Sequence, residues 1–365
     1  MTELSNVTVV LPSLDPDEKL GIVIRGLLEY GFSDIVLVND GSKEENLHYF
    51  TEAAAHPQVT LLHHPENRGK GAALKTAFRY VLENRPEGAG VVTVDGDNQH
   101  HPEDTKACAL HMLETGKLTL GVRDFSLPEV PTRSRMGNRI TSLVFKLFVG
   151  MTIADTQTGL RAIPRGDLAP LTEIAGDRFE YETNMLLAMK NLNIPFDQVK
   201  IRTVYIEENK SSHFRAVRDS WRIYKLILAH FFKFAASSLL SSVVDEGLFL
   251  LLTWALTGVL TGFAFKAVPV LVARVLSSLL NFYMNKQLVF KSKLSHGTSL
   301  WRYFLLAVGI GLGQMLLTYG VCTLFHIQDH QLAAQGIVYA LVMTVLFLVS
   351  FTVQQRWVFA AQKSG

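Results

Sequence analysis

The sequence predicts two folds in one chain: an α/β nucleotide-binding domain on a mostly parallel sheet, then an all-α membrane domain of four helices. Three observations carry this. From Asn6 to about Tyr205, short apolar runs alternate with amphipathic stretches, the pattern of βαβ units. From Phe234 onward, four apolar stretches each approach the ~20 residues that cross a bilayer. Charge divides the same way: of 35 basic and 33 acidic residues, almost all the carboxylates precede Val217. The near balance argues against a nucleic-acid binder driven by bulk charge. Cys108 and Cys322 lack metal-ligand spacing and read as free thiols in a reducing compartment. Met1-Thr2-Glu3 leads straight into a strand-like run rather than a signal peptide, so the first domain is expected in the cytosol.

Strands are expected at Val7–Leu11, Asp34–Val38, Val59–Leu62, Gly90–Val94, Leu118–Val122 and Val199–Ile206. Helical periodicity fills Glu18–Tyr30, Gly71–Leu82, Pro102–Thr115 and Arg135–Phe148. Open α/β sheets bind ligands at the carboxyl ends of their strands. The most informative such end is Val91–Asp104, VVTVDGDNQHHPED. Asp95 and Asp97 offer hard oxygen ligands to a divalent cation, and Gly96 lets a ligand approach the backbone. The pair points to Mg²⁺ or Mn²⁺ holding a diphosphate, and so to group transfer from a nucleotide-activated donor. Asn39-Asp40-Gly41-Ser42 either contacts a base or ribose or forms an Asx turn capping the next helix. Asn67-Arg68-Gly69-Lys70-Gly71 opens a helix and suits an anion, or is a plain loop and cap. Arg123 follows the fifth strand, where a guanidinium reaches a diphosphate. The histidine pairs at 63–64 and 100–101 are read as solvated loop residues rather than metal ligands.

Together these pieces resemble glycosyltransferase family 2, and within it the polyprenyl-phosphate (dolichol-phosphate-like) sugar synthases. The match runs through Leu11-Pro12, Val38-Asn39-Asp40-Gly41-Ser42, Asn67-Arg68-Gly69-Lys70-Gly71-Ala72-Ala73 and Asp95-Gly96-Asp97-Asn98-Gln99-His100. It continues through Gly121-Val122-Arg123, Gly137-Asn138-Arg139, Asp155-Thr156-Gln157-Thr158-Gly159-Leu160-Arg161 and Arg178-Phe179-Glu180-Tyr181-Glu182-Thr183, in family order over about 200 residues. Two departures stand out. Pro12 is followed by Ser13-Leu14-Asp15-Pro16 instead of the family's aromatic-Asn-Glu run, and Asn39-Asp40 replaces paired aspartates.

The resemblance implies a GT-A-type fold and metal-dependent, inverting transfer of a sugar from a UDP- or GDP-linked donor to a polyprenyl phosphate. It implies Asp95 and Asp97 at the metal, and Pro12, Leu14, Asp15, Asp40, Asp95, Gly96 and Gln99 around the nucleotide. It implies Arg123, Arg139, Lys210 and His213 on donor or acceptor phosphates, with Asp97, Asp155 and Arg139 nearest the reaction. His213, in the loop Asn209-Lys210-Ser211-Ser212-His213, stands where lysine is more usual. The acceptor phosphate is ionised at neutral pH, so holding two anions together matters more than a strong base.

The four spans are expected at about Phe234–Leu256, Ala267–Asn285, Tyr303–Phe325 and Ala333–Val353. Lys286, Lys291, Lys293 and Arg302 crowd the middle loop, against Lys266 alone in the loops before the second and fourth spans. The positive-inside rule puts that loop and both termini in the cytosol, making this a multi-pass protein of the cytoplasmic (inner) membrane. Lys233-Phe234 and Val289-Phe290 recur as Arg302-Tyr303 and Val358-Phe359, an offset of 69 residues that marks a tandem two-helix repeat. The arrangement resembles the GtrA-like membrane family, whose members are proposed to move lipid-linked sugars. Asp245, Glu246 and Arg274 lie inside spans, with Gln314 as the repeat equivalent of Asp245. Ionisable groups at that depth mark function, unless Asp245 and Arg274 merely staple two helices.

Arg215–Phe232 reads as an interfacial helix, with Arg215, Arg218, Arg222 and Lys225 largely opposite Val217, Trp221, Tyr224, Leu228 and Phe231. The expected domains are therefore 1–212, a linker at 213–232, and 233–365, with contacts to membrane lipids and room for a homo-oligomer. Two rivals differ in class. A lipid-linked-sugar transporter with a nucleotide-sugar-sensing domain predicts lost metal ligands, yet Asp95 and Asp97 are present. A processive polysaccharide synthase needs a Gln-x-x-Arg-Trp signature before its pore; Gln354-Gln355-Arg356-Trp357 follows the last span and belongs to the repeat.

Overall fold

A computed structural model describes residues 3–128, 130–203, 216–292, 294–328 and 331–360. The chain divides into two compact units, 1–226 and 227–365. The first carries β1 (Val7–Ser13), α1 (Lys19–Glu29), β2 (Ile35–Asp40), α2 (Leu47–Ala54), β3 (Val59–His64), α3 (Lys70–Asn84) and β4 (Gly90–Thr93). It continues with α4 (Pro102–Thr115), β5 (Leu118–Arg123), α5 (Thr132–Val144), β6 (Arg161–Pro164), α6 (Arg165–Thr172), α7 (Glu180–Asn191) and β7 (Phe196–Ile201).

The seven strands form one sheet in the order β3-β2-β1-β4-β6-β5-β7, with β6 antiparallel to β4 and β5 and the other pairings parallel. β2 is buried at every residue and β1 at all but Pro12, as expected of central strands covered on both faces. α1 buries Leu20, Val23, Ile24 and Leu27, one helical stripe, against a core containing Val9, Leu11, Leu37, Val92, Cys108 and Met112. Burial pushes the Cys108 thiol up to about 12, so it is an inert core residue.

Four elements go beyond the sequence expectations: α2, β6, α6 and α7. β6 has only four residues and opens on a buried arginine, Arg161, at 1% exposure; no apolar run announces it. The last strand lies at Phe196–Ile201 rather than 199–206, and its half-exposed pattern suits a sheet edge.

The second unit holds helices long and apolar enough to cross a membrane at Phe231–Ala255, Gly262–Val289, His296–Leu324 and Leu332–Val358. They belong to α8 (Ala216–Ala255), α9 (Gly262–Met284), α10 (His296–Leu324) and α11 (Leu332–Val353). α8 joins the expected linker helix and first span in one element. Arg215 and the side chains at 216–224 lie outside the described residues, which leaves the linker's two faces unassigned.

The repeat has a structural counterpart. α9 and α11 each end in a π-helical turn, Asn285–Val289 and Gln354–Val358. The equivalent residues Asn285 and Gln354 are joined by a 3.1 Å hydrogen bond, donated by Asn285 Nδ2. Phe290 and Phe359 stack with ring centroids 5.3 Å apart. Asp245 accepts from Ser277 Oγ at 2.7 Å and pairs with Arg274 at 3.1 Å, while Glu246 is exposed.

Candidate active site

Parallel pairing brings the carboxyl ends of β1, β2, β3 and β4 to one edge of the sheet, with Ser13 opposite Asn39 and Asp40 opposite His64. The antiparallel β6 starts at that edge, Arg161 facing Thr93, so the 155–160 loop arrives beside the end of β4. Thr93 Oγ1 donates to Gly159 O at 2.6 Å and fixes this approach.

Asp95 leaves β4 into this junction. Lys70 Nζ lies 2.7 Å from Asp95 Oδ1 and 3.0 Å from Glu182 Oε1, bridging the first turn of α3 to α7. Burial opposes ionisation of Asp95, but Lys70 foremost holds its carboxyl below the usual range. Burial also works against the Lys70 ammonium, yet its two carboxylates raise its pKa. The Asn67–Gly71 segment therefore does not present its lysine to an incoming anion; Lys70 is spent on Asp95 and Glu182. Gly69 N–H donates instead to Asp40 Oδ2 at 2.8 Å, at a left-handed φ of 103° that favours glycine.

Asp97 is placed differently. Its Oδ1 accepts from Gln99 N at 3.1 Å, and among the described residues it forms no salt bridge. Burial, then the adjacent charge of Asp95, raises its carboxyl above the ordinary value. Burial chiefly pushes the His100 imidazole below its ordinary value, and its Nδ1 has no hydrogen-bond partner among the described residues. Gly96 and Gln99 are half-buried beside them.

A second ion pair borders this junction. Asp155, fully buried, receives Arg123 Nε at 2.7 Å and a second guanidinium nitrogen at 3.2 Å, a bidentate fork. Gln157 N donates to the same carboxylate at 3.1 Å. Asp155 thus orients Arg123. The Arg123 guanidinium also lies 5.1 Å from the Phe125 ring centroid.

The β1 and β2 ends interlock. Asp15 N donates to Ser42 Oγ and Lys43 N to Asp15 Oδ1, both at 2.8 Å, with Asp15 at a left-handed φ of 48°. Asn39 Oδ1 accepts from Ser42 N at 2.9 Å, three residues on, and closes the loop without capping a helix: the helical turn at Glu44–Asn46 begins after Lys43 with no side-chain cap. Asp40 is 3% exposed and fully engaged, by His64 at 2.7 Å and by the Arg68 and Gly69 amides. Its observed contacts hold the 67–69 loop. Pro12 and Leu14 are half-buried at the same strand end.

Arg139 is exposed on α5. That helix also exposes Met136, Ile140 and Leu143 at 57, 50 and 54%, and Leu147 follows beyond its end at 38%, spacings that form one face. Lys210 and His213 lie outside the described residues.

Glu182 and Gly159 received no individual role from the sequence. An ideal Cβ on Gly159 would lie 2.4 Å from Asp95 Oδ2, so the missing side chain makes room for the carboxylate. Gly159→Ala is expected to destabilise the protein by about 1–3 kcal/mol through overpacking at Asp95. Denaturant unfolding of the full chain checks this; an unchanged midpoint would contradict the close approach.

No group of three or more His, Cys, Asp or Glu side chains is arranged to hold a metal among the described residues. Two carboxylates, one with its repulsion only partly relieved, still fit Mg²⁺ or Mn²⁺ of the kind that completes its shell with substrate phosphate and water.

Comparison with known proteins identifies two domains. Residues 8–168 match the glycosyl transferase family 2 model, and residues 233–359 match the GtrA/DPMS transmembrane domain. An uncharacterized protein of Methanocaldococcus jannaschii is 28% identical over 231 residues, covering 62% of this chain and 93% of its own. The UDP-N-acetylglucosamine–dolichyl-phosphate N-acetylglucosaminyltransferase of Methanococcus voltae is 25% identical, covering 55% of this chain and 86% of its own. The undecaprenyl-phosphate mannosyltransferase of Micrococcus luteus is 26% identical, covering 56% and 86%. The chain thus carries a glycosyl transferase family 2 domain followed by a GtrA/DPMS transmembrane domain.

Proposed function

We propose that this protein transfers a sugar from a nucleoside diphosphate donor to a polyprenyl phosphate at the cytosolic face of the membrane, supplying lipid-linked sugar for glycan or protein glycosylation. The observation that carries the reading is the Asp95–Asp97 pair, at the end of β4 in a family 2 domain that precedes four membrane helices. Relatives that act on dolichyl and undecaprenyl phosphates support the acceptor class.

Each residue then has a task. Asp97, with Asp95 braced by Lys70, would hold Mg²⁺ or Mn²⁺, which when bound neutralises the departing diphosphate. Pro12, Leu14 and Asp15 flank the nucleoside. Arg123, oriented by Asp155, faces phosphate oxygen, and Arg139 meets the acceptor. Charge neutralisation and alignment of two anions lower the barrier; attack by the ionised acceptor phosphate on the anomeric carbon inverts it.

The exposed apolar face of α5 suits an acceptor that stays in the bilayer. The paired substitutions Ile140→Asp and Leu143→Asp are expected to lower transfer to a long-chain acceptor at least about tenfold by removing apolar contact area. Nucleotide binding should stay unchanged in the same preparation.

The reading is tested by release of nucleoside diphosphate from UDP- and GDP-sugars in the presence of Mn²⁺. Release that requires added polyprenyl phosphate supports it. Release equally fast without acceptor, or with a water-soluble alcohol in its place, argues against it.

A further inference from the structure

Two charged side chains point outward from the membrane-spanning helices. Glu246 in α8 is exposed, and it has no hydrogen bond or ion pair among the described residues. Arg274 in α9 pairs with Asp245 at 3.1 Å, yet its side chain remains 70% exposed. Glu246 lies nine residues, about 14 Å, from the nearer end of its span, and Arg274 twelve residues, about 18 Å. Those distances exceed what a side chain covers by snorkelling to the interface. In a single copy both charges therefore face hydrocarbon, where they are costly.

Nothing nearby relieves them. Leu239, Val243, Leu250 and Trp254 are exposed on α8 three, four, seven or eight residues from Glu246, so the carboxylate stands within an apolar stripe. Val270 and Leu271 flank Arg274 on α9 in the same way. Asp245 repels Glu246 and is already engaged, by Arg274 and by Ser277 Oγ at 2.7 Å. A guanidinium carries five N–H donors, and an exposed one has donors left for a second carboxylate. Glu246 directly follows Asp245, so it lies at the depth of Arg274.

We propose that these two charges join copies of this chain, with Glu246 of one copy meeting Arg274 of another. Copies inserted the same way round hold equivalent residues at one depth, so the opposite charges come level. Association takes both out of lipid and covers the apolar neighbours beside them. A charge-assisted hydrogen bond is strong in such a low-dielectric setting. Gly247, where an added Cβ would meet nothing within 4 Å, lets another helix approach closely beside Glu246. An anionic lipid would serve Arg274 and leave Glu246 unrelieved, whereas a second copy serves both. The interface needs only the membrane helices and is independent of the transferase reading.

The test reconstitutes the full chain into phosphatidylcholine vesicles over a range of dilutions, half the copies carrying a donor fluorophore and half an acceptor at the amino terminus. Native protein is expected to show energy transfer above that of random proximity. Glu246→Gln keeps the shape of an exposed side chain and should fold. It should raise the protein-to-lipid ratio needed for half association at least about tenfold, the effect of losing one member of a desolvated charge pair. Glu246→Arg copies and Arg274→Glu copies should each stay apart alone and associate when mixed, because only mixed pairs bring opposite charges together. The glutamine comparison decides the matter even if Arg274→Glu, which also deprives Asp245 of its partner, does not fold. Native copies that stay apart at every dilution, a glutamine variant that associates as native protein does, or folded charge-reversed copies that ignore one another would overturn the proposal. Association that requires added phosphatidylglycerol and is indifferent to Glu246→Gln would also overturn it, and would assign Arg274 to a lipid phosphate.

Discussion

Asp97→Asn is expected to lower sugar transfer by about 10²–10³-fold, the cost of losing one charge-stabilising group at a reaction centre, while making the metal-free protein more stable. The two effects share a cause. Asp97 is held above the ordinary carboxylate value by burial and by Asp95, and Lys70, in direct contact with Asp95, offsets this only in part. A folded-state pKa above the unfolded one means the native protein takes up that proton more readily. Metal-free stability should therefore fall as pH rises from the ordinary carboxylate range through the raised value, and the loss persists at neutral pH. Asparagine keeps the acceptor for Gln99 N and removes the repulsion. The expected gain is about 1 kcal/mol. Thermal unfolding with EDTA and with Mn²⁺ measures both halves: native protein rises with metal, and the variant starts higher and does not respond. A variant less stable than native in EDTA would contradict the assigned repulsion.

Arg123→Met should destabilise the protein by about 3–5 kcal/mol, because it strands a fully buried carboxylate at Asp155. Adding Asp155→Asn should recover most of that loss, since the amide needs no cation and retains the Gln157 N–H contact. Denaturant unfolding of both variants gives the pair's coupling. Activity separates two roles for Arg123. If it only braces the loop, transfer returns with stability in the double variant. If it also meets phosphate, the double variant folds and stays slow. A single variant within about 0.5 kcal/mol of native, the range of a neutral surface change, would dismiss the ion pair as a structural element.

The parts legible in sequence were those with local signals. β1 to β5 are apolar runs closed by turn residues, and the membrane helices announce themselves by length and composition. The tandem repeat was readable from two dipeptides and reappears as matching π-helical turns. What escaped depends on contacts between distant segments. β6 is four residues long and its arginine is buried, with Nε donating to Thr158 O at 3.1 Å. Burial lowers that guanidinium's pKa, an environment no propensity scale assigns to arginine in a strand.

The site shows the same division. Asp95 and Asp97 are identified by spacing, whereas their inequivalence comes from Lys70 and Glu182, brought together from α3 and α7. Lys70 was visible as a basic residue opening a helix, a pattern that also suits an anion. Only the fold reveals that Asp95 lies within its reach. Asp40 has a comparable history: a carboxylate at a strand end invites a ligand, and here two backbone amides and His64 occupy it.

The most direct test of the central claim is transfer itself. Purified full-length protein in lipid or detergent would be incubated with undecaprenyl phosphate, Mn²⁺ or Mg²⁺, and a panel of radiolabelled UDP- and GDP-sugars. The account predicts label entering the organic phase from one donor, dependent on metal and lost in Asp97→Asn. Nucleotide binding without transfer from any donor in the same preparation would contradict it, and would leave a nucleotide-sensing membrane transporter as the better description.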